Sequence, residues 1–366
     1  MADMLDYLAW RGDIEFTQLP VNPVDALIFS TLSYIKFEDI VPDNPNQSIS
    51  LAEAAAGLFS LADPVNRTRV KKDLDLLKAV AESARFDNIR MSFYRSVLIP
   101  EEDTQFAAVT IFLEDGSAYI AFRGTDNTLT GWKEDFNMSF QSSIPAQHLA
   151  LAYVQEFTAA HPIPIWMGGH SKGGNLAVYA AAKCGQLLQK RIVGVYSQDG
   201  PGFSEAMMND PGYRSILPKV RSYVPQSSVI GMLLEHEEPY TIIKSNQVGI
   251  MQHDPYSWQV LGADFVQVEE LTADSRFLDR TFRNWLSRMT NEERSEFFDT
   301  VFELLESTGA ERTGELIHPQ NVRAYLKTLK TNEYMRNVLA SELIRLASAA
   351  RRAQSDPQAA SSDTPQ

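Results

Sequence analysis

The stretch Ile163 to Leu176, "IPIWMGGHSKGGNL", decides the fold. Within it, Gly169 to Gly173 reads G-x-S-x-G. An apolar run of strand length, Ile163 to Met167, leads into the motif. Asn175 to Leu188 follows at helical spacing, with Leu176, Tyr179 and Ala180 on one face. Strand, abrupt turn and helix together form the context in which a serine is held in strained backbone with its Oγ exposed. Residues two before and two after such a serine lie close to neighbouring backbone, which favours glycine at 169 and 173. The N–H of Lys172 then sits at a helix start, where orphan donors and the macrodipole favour negative charge. A glycine-rich turn with an incidental serine is the plainer alternative. A phosphate-binding loop would need G-x-x-x-x-G-K-[ST], which is absent.

Outward from this centre, strand and helix alternate. Phe106–Leu113 and Ser117–Phe122 are β-rich runs separated by Glu114-Asp115-Gly116, a hairpin signal. A helix is predicted over about Gln147–Ala160. Further strands are predicted over Arg191–Ser197, Val220–Val224 and Tyr240–Lys244. This alternation implies a mainly parallel sheet with helices on both faces. The first ninety residues read as mostly helical. Asn22 precedes Pro23 as a cap, Ser50 and Glu53 form a capping box, and Val70, Leu74, Leu77 and Ala81 recur at helical spacing. The expected division is a domain over 1–264, a C-terminal helical region over 265–350 with Thr290 and Glu293 as a capping box, and a disordered tail over 351–366.

Composition narrows the function classes. Lys and Arg number 33 against 47 Asp and Glu, a formal charge of −14. Such a surface repels nucleic-acid phosphates and anionic headgroups over a Debye length. Cys184 is the only cysteine, so no intramolecular disulfide forms. The acidic N-terminus does not read as a secretory signal, and no run of about 18 apolar residues is present for a membrane span. A cytoplasmic protein is the expectation. No metal or cofactor is implied.

A second motif adds to the first. Ala121-Phe122-Arg123-Gly124-Thr125-Asp126 ends the second hairpin strand, and Trp132 and Asp135 follow in "LTGWKEDF". Taken with "GGHSKGGNLA", residues 105 to 260 resemble the class 3 (fungal-type) lipases. The chain as a whole resembles a bacterial, lipase-like α/β-hydrolase family of unknown function. The resemblance implies an α/β-hydrolase fold with helical extensions at both ends. It also implies that Thr125, with Lys172, supplies the oxyanion donors, and that His170 is structural.

The order of a hydrolase triad, serine then acid then histidine on a late loop, selects His253 in "IMQHDPYSW". His236, in the acidic stretch "LLEHEEPY", which reads as an exposed loop, is the runner-up. The acid position of the lipases falls on "SYVPQSSVIG", where Gln226, Ser227 and Ser228 stand and no carboxylate does. Asp199, just beyond the strand after the Ser171 helix, either substitutes for it or caps the Gly200-Pro201-Gly202 turn. Glu235 and Asp254 are further candidates. The expectation is a serine hydrolase acting on a small ester or lipid-like acyl substrate through Ser171, His253 and Asp199. The alternative is an inactive α/β-hydrolase scaffold that serves as a binding module, supported by the missing carboxylate at Ser228.

Overall fold

Eight strands hydrogen-bond side by side in sequence order in the computed structural model, which describes residues 2–310 and 312–355. They are β1 (Ser48–Ser50), β2 (Arg90–Ile99), β3 (Thr104–Phe112), β4 (Ala118–Phe122), β5 (Ile165–His170), β6 (Ile192–Gln198), β7 (Val220–Pro225) and β8 (Tyr240–Ile243). β1 runs antiparallel to β2, and β3 antiparallel to β4, with Gly116 at φ 82° in the hairpin turn. From β4 to β8 every pairing is parallel. β4 and β5 are buried along their whole length, as a sheet covered on both faces requires.

The covering layers follow from side-chain alternation along the strands. Tyr119 and Ala121 of β4 join the core built by the helices Met4–Arg11, Pro23–Leu32, Leu51–Phe59 and Lys72–Ala81. Phe122 of β4 and Phe106 of β3 instead meet the Tyr153 ring of the helix Pro145–Ala160. The N-terminal helices are further tied by a buried ion pair: Arg85 donates to both oxygens of Asp25, at 2.8 and 2.5 Å, while the Tyr7 hydroxyl donates to the same carboxylate. Bidentate geometry and satisfied donors are what such a pair needs to survive burial.

The residues sort into two compact units that interleave along the chain. The first comprises 1–97, 106–124 and 145–271 and holds the sheet. The second takes 98–105, 125–144 and the chain from 272 onward. Within the second unit, the helices Ala273–Leu286, Asn291–Glu306 and Glu333–Ser355 share a core of Trp285, Met289 and Ala349, with Phe282, Leu286, Phe297 and Leu346 around it. Phe136, from the helix Leu129–Asn137, stacks on Phe298.

The capping boxes at Asn22, Ser50 and Thr290 all form. The N-terminal ninety residues contain β1 and lead directly into β2, neither of which the periodicity singles out. The last helix reaches Ser355, five residues into the segment expected as a tail, and 356–366 lie outside the described residues. The architecture is the α/β-hydrolase fold, a mostly parallel sheet flanked by helices.

Candidate active site

Ser171 follows directly on β5 and caps the helix Lys172–Lys183. Its backbone stands at φ 58°, ψ −133°, a conformation costing a non-glycine residue about 1–3 kcal/mol. The turn is tight because backbone packs on backbone. A side chain at Gly169 would overlap the Gly173 backbone, and one at Gly173 would overlap the Phe122 carbonyl of β4. The N–H of Ser171 donates to the Gln198 carbonyl at 2.9 Å, and its own carbonyl accepts from Gly174 at 2.9 Å. Gly124 lies against the serine: a Cβ there would stand 3.1 Å from the Ser171 Cβ.

Asp199 follows β6 and also has a positive φ, 52°. Its N–H donates to the Tyr223 carbonyl at 2.8 Å, which fixes it between the ends of β6 and β7. The residue is fully buried. One carboxylate oxygen lies 2.6 Å from His253 Nδ1. The other accepts from the Ser228 hydroxyl at 2.5 Å and the Gly231 N–H at 3.1 Å. A Cβ on Gly231 would overlap that oxygen, so the approach of the N–H depends on glycine. The turn is held by other groups: Gly202 N–H donates to the Leu233 carbonyl, and Asn175 Nδ2 donates to the carbonyls of Pro201 and Gly202 at 3.1 and 2.8 Å. Asp199 therefore spends its carboxylate on His253, Ser228 and Gly231 rather than on the turn. Ser228, where the lipase acid was expected, touches the carboxylate that arrives from the neighbouring strand.

His253 ends the 3₁₀ segment Gly249–His253, beyond β8, and its side chain is 26% exposed. The His170 and His253 rings lie 4.5 Å apart between centroids. His170 Nε2 is 2.8 Å from the His253 carbonyl, which can only accept, so Nε2 carries the proton. Nδ1 of His170 is then the acceptor for the Tyr34 hydroxyl at 3.1 Å. Burial pushes the His170 imidazole well below its ordinary pKa, and the charges of His253 and Arg69 act in the same direction. Arg69 lies over the Tyr34 ring at 4.8 Å, with Nη2 3.7 Å from Asp254. His170 is thus a neutral brace on the backbone of its neighbour. Tyr34 and Arg69 belong to this neighbourhood although they stand more than a hundred residues from Ser171 in the chain, and no local pattern marks them.

The other candidates, Asp254 apart, are placed elsewhere. His236 is not in an exposed loop: its side chain is 6% exposed, with Nδ1 3.0 Å from Glu238. Glu238 also accepts the Tyr213 hydroxyl at 2.6 Å. Burial alone would raise the Glu238 carboxyl; the hydrogen bonds and charge of His236, with the Tyr213 hydroxyl, outweigh it and hold the group below its ordinary pKa. That carboxylate is what draws His236 inward. His161 bonds the Pro45 carbonyl at 2.7 Å, and His148 packs on Tyr179. Of the other carboxylates, Asp254 accepts the Tyr256 N–H at 3.3 Å, and Glu235 pairs its backbone with Phe203.

Of the two expected oxyanion donors, Lys172 opens the helix after Ser171, and its side chain is buried. Thr125 follows Gly124 in the chain and belongs to the second unit, where its hydroxyl donates to the Asp135 carboxylate. That spends its one hydroxyl proton and leaves the backbone N–H. Among the described residues, no three His, Cys, Asp or Glu side chains converge as a metal site requires. No helix among them is long and apolar enough to cross a membrane.

The solved structures similar to this chain include fungal lipases at low identity. A Rhizomucor miehei lipase propeptide complex is 17% identical over 52% of this chain and 72% of its own, with a TM-score of 0.35. A mutant of MDLA from Penicillium cyclopium is 14% identical over 66% and 83%, with a TM-score of 0.38. The lipase of Rhizopus microsporus var. chinensis is 14% identical over 62% and 95%, with a TM-score of 0.35. No curated protein matches the sequence. The Mbeg1-like family model matches residues 80–303, and the chain belongs to the Mbeg1-like family.

Proposed function

We propose that this protein is a serine hydrolase that cleaves a carboxylic ester or lipid-like acyl substrate through an acyl-enzyme. The observation that carries the proposal is the 2.6 Å contact of His253 Nδ1 with a fully buried Asp199, at the strand ends where Ser171 stands in a strained turn. A carboxylate on Nδ1 orients the imidazole, keeps the other nitrogen available as a base, and stabilises the cation that forms when it takes a proton.

In the proposed cycle, His253 Nε2 takes the proton of Ser171 as Oγ attacks the acyl carbonyl. The C–O double bond opens to an oxyanion, which accepts from the Lys172 N–H and, as proposed from the sequence, from the Thr125 N–H. The imidazolium returns the proton to the leaving alcohol as the ester bond breaks. Water, deprotonated by the same imidazole, then attacks the acyl-enzyme and releases the acid. His170 stays neutral, so it adds no charge beside the imidazolium.

The main support for an inactive scaffold was the lack of a carboxylate at 226–228. With Asp199 at 2.5 Å from the Ser228 hydroxyl, that lack no longer argues for the scaffold. The acidic composition and the single cysteine fit a cytoplasmic enzyme. Rapid-mixing hydrolysis of p-nitrophenyl butyrate tests the proposal. The expected result is turnover by the wild type that Ser171→Ala abolishes. Equal turnover by both proteins would remove Ser171 from the chemistry.

A further inference from the structure

The segment that delivers His253 also carries an exposed apolar tip. Val248, Ile250 and Met251 are 78%, 60% and 60% exposed. Single exposed apolar residues are ordinary; three within four positions are a patch. The patch is not a loose loop that failed to bury its side chains, because polar groups pin it from behind. Gln252 is buried. Its Oε1 accepts the Ser227 N–H at 2.8 Å, its Nε2 donates to the Gln247 carbonyl at 2.9 Å, and its carbonyl accepts the Trp258 indole N–H at 2.9 Å. Ser245 and Ser257 bond each other at 2.7 Å across the loop base. Gly249, at φ 54°, turns the chain between Val248 and Ile250. The loop therefore buries the Gln252 amide while the side chains of Val248, Ile250 and Met251 stay in solvent, the reverse of what burial in water favours.

Charge defines what the tip can meet. From Ser245 to His253, nine residues carry no formal charge with His neutral, in a chain of net charge −14. A partner protein of ordinary interface size needs about 800 Å² from each side, with aromatic or arginine anchors and a polar rim. Three aliphatic side chains on a narrow turn supply neither. A lipid surface needs no shape complementarity, only hydrocarbon to enter and no charge to repel.

We propose that Val248, Ile250 and Met251, two to five residues before His253 in the chain, form a docking tip that enters the surface of an uncharged or zwitterionic lipid assembly. The inference names the physical setting of the hydrolase substrate and rests on that proposed function for its biological sense, though not for its test. The tip acts as a fixed anchor and requires no movement of the fold.

The test uses the full chain with phosphatidylcholine vesicles in a flotation assay, beside the variant Val248→Ser/Ile250→Ser/Met251→Ser. The side chains replaced are exposed, so the variant should fold, and its unfolding midpoint is measured alongside. The wild type should float with the vesicles, and the triple variant should partition about tenfold less or weaker still. Vesicles rich in phosphatidylglycerol should bind the wild type less well than phosphatidylcholine. Hydrolysis of p-nitrophenyl butyrate, a soluble ester, should be the same in both proteins. Wild type that stays in the soluble fraction, or a triple variant that floats equally, overturns the inference. So does a wild-type dimer that the triple substitution converts to monomer with no vesicle binding, which would assign the tip to a second copy of the chain. Flotation without ester hydrolysis would instead sink the hydrolase proposal and leave the docking tip standing.

Discussion

Two histidines in this molecule hold Nδ1 against a carboxylate, and they differ in almost everything else. His253 meets Asp199 at 2.6 Å, at the ends of parallel strands, with a quarter of its side chain open to solvent. His236 meets Glu238 at 3.0 Å with its side chain almost wholly buried, and its Nε2 is a buried nitrogen with no hydrogen-bond partner among the described residues. The paired carboxylate is therefore not the mark of a base. What separates the two is access and company. His253 shares the strand ends with the strained Ser171, while His236 closes a buried row with Glu238 and Tyr213. On the proposed function, the same carboxylate–imidazole contact serves proton transfer at His253 and packing at His236.

The largest predicted effect breaks the comparison outright. Ser171→Ala or His253→Ala should each lower kcat on soluble esters on the order of 10⁶-fold, and the double variant should add little. Steady-state kinetics with active-site titration checks this; additive losses would mean that the two side chains do not act as a pair. Next, Asp199→Asn should cost on the order of 10⁴-fold, with its effect in kcat. Because Ser228 touches the Asp199 carboxylate, adding Ser228→Asp to that variant should recover at least about tenfold of the loss. A double variant no faster than Asp199→Asn alone would show that the β7 end cannot seat the acid.

On the other side of the comparison, His236→Gln should change kcat less than about threefold. It should lower the unfolding free energy by about 1–3 kcal/mol, because the buried Glu238 carboxylate loses a hydrogen-bond partner. Urea titration beside the ester assay reads both. A kcat loss of a hundredfold with normal stability would reverse the roles assigned to the two histidines.

The smallest effect concerns His170. Its folded-state pKa is depressed by burial, so above the unfolded value of about 6.5 its contribution to stability is full. As pH falls below that value, the unfolded chain binds a proton that the folded chain refuses, and stability declines toward the folded-state pKa. Urea midpoints should fall from pH 7.5 to 5.5 in the wild type, and less steeply in His170→Gln. Parallel slopes would contradict the burial account.

How much of this was legible in the sequence depends on the range of the interaction. The Ser171 turn was legible because its glycines, strand and helix are contiguous. The β3–β4 hairpin, the Asn22 cap and the capping boxes at Ser50 and Thr290 were legible for the same reason. β1 was not, since three residues are too few to show a period, and β2 carries Phe93 at φ 53°, which interrupts its alternation. The order serine, acid, histidine points to His253, which the structure pairs with Asp199; the burial of His236 escapes the sequence because Tyr213, which shares Glu238 with it, lies more than twenty residues away. The competition at Asp199 between turn cap and imidazole partner was not decidable from residue types. It depends on Ser228 and Gly231, about thirty residues away, which take one oxygen and leave the other for His253. The second unit draws on three separate segments, so a boundary drawn at residue 265 catches only its last part.

The central claim is that Ser171 is a nucleophile activated by His253. Intact-mass and peptide mapping after treatment with a fluorophosphonate tests it most directly. The account predicts a single adduct on Ser171 in the wild type, none in Ser171→Ala, and strongly slowed labelling in His253→Ala. An unlabelled wild type, or an adduct that persists in Ser171→Ala, would contradict it.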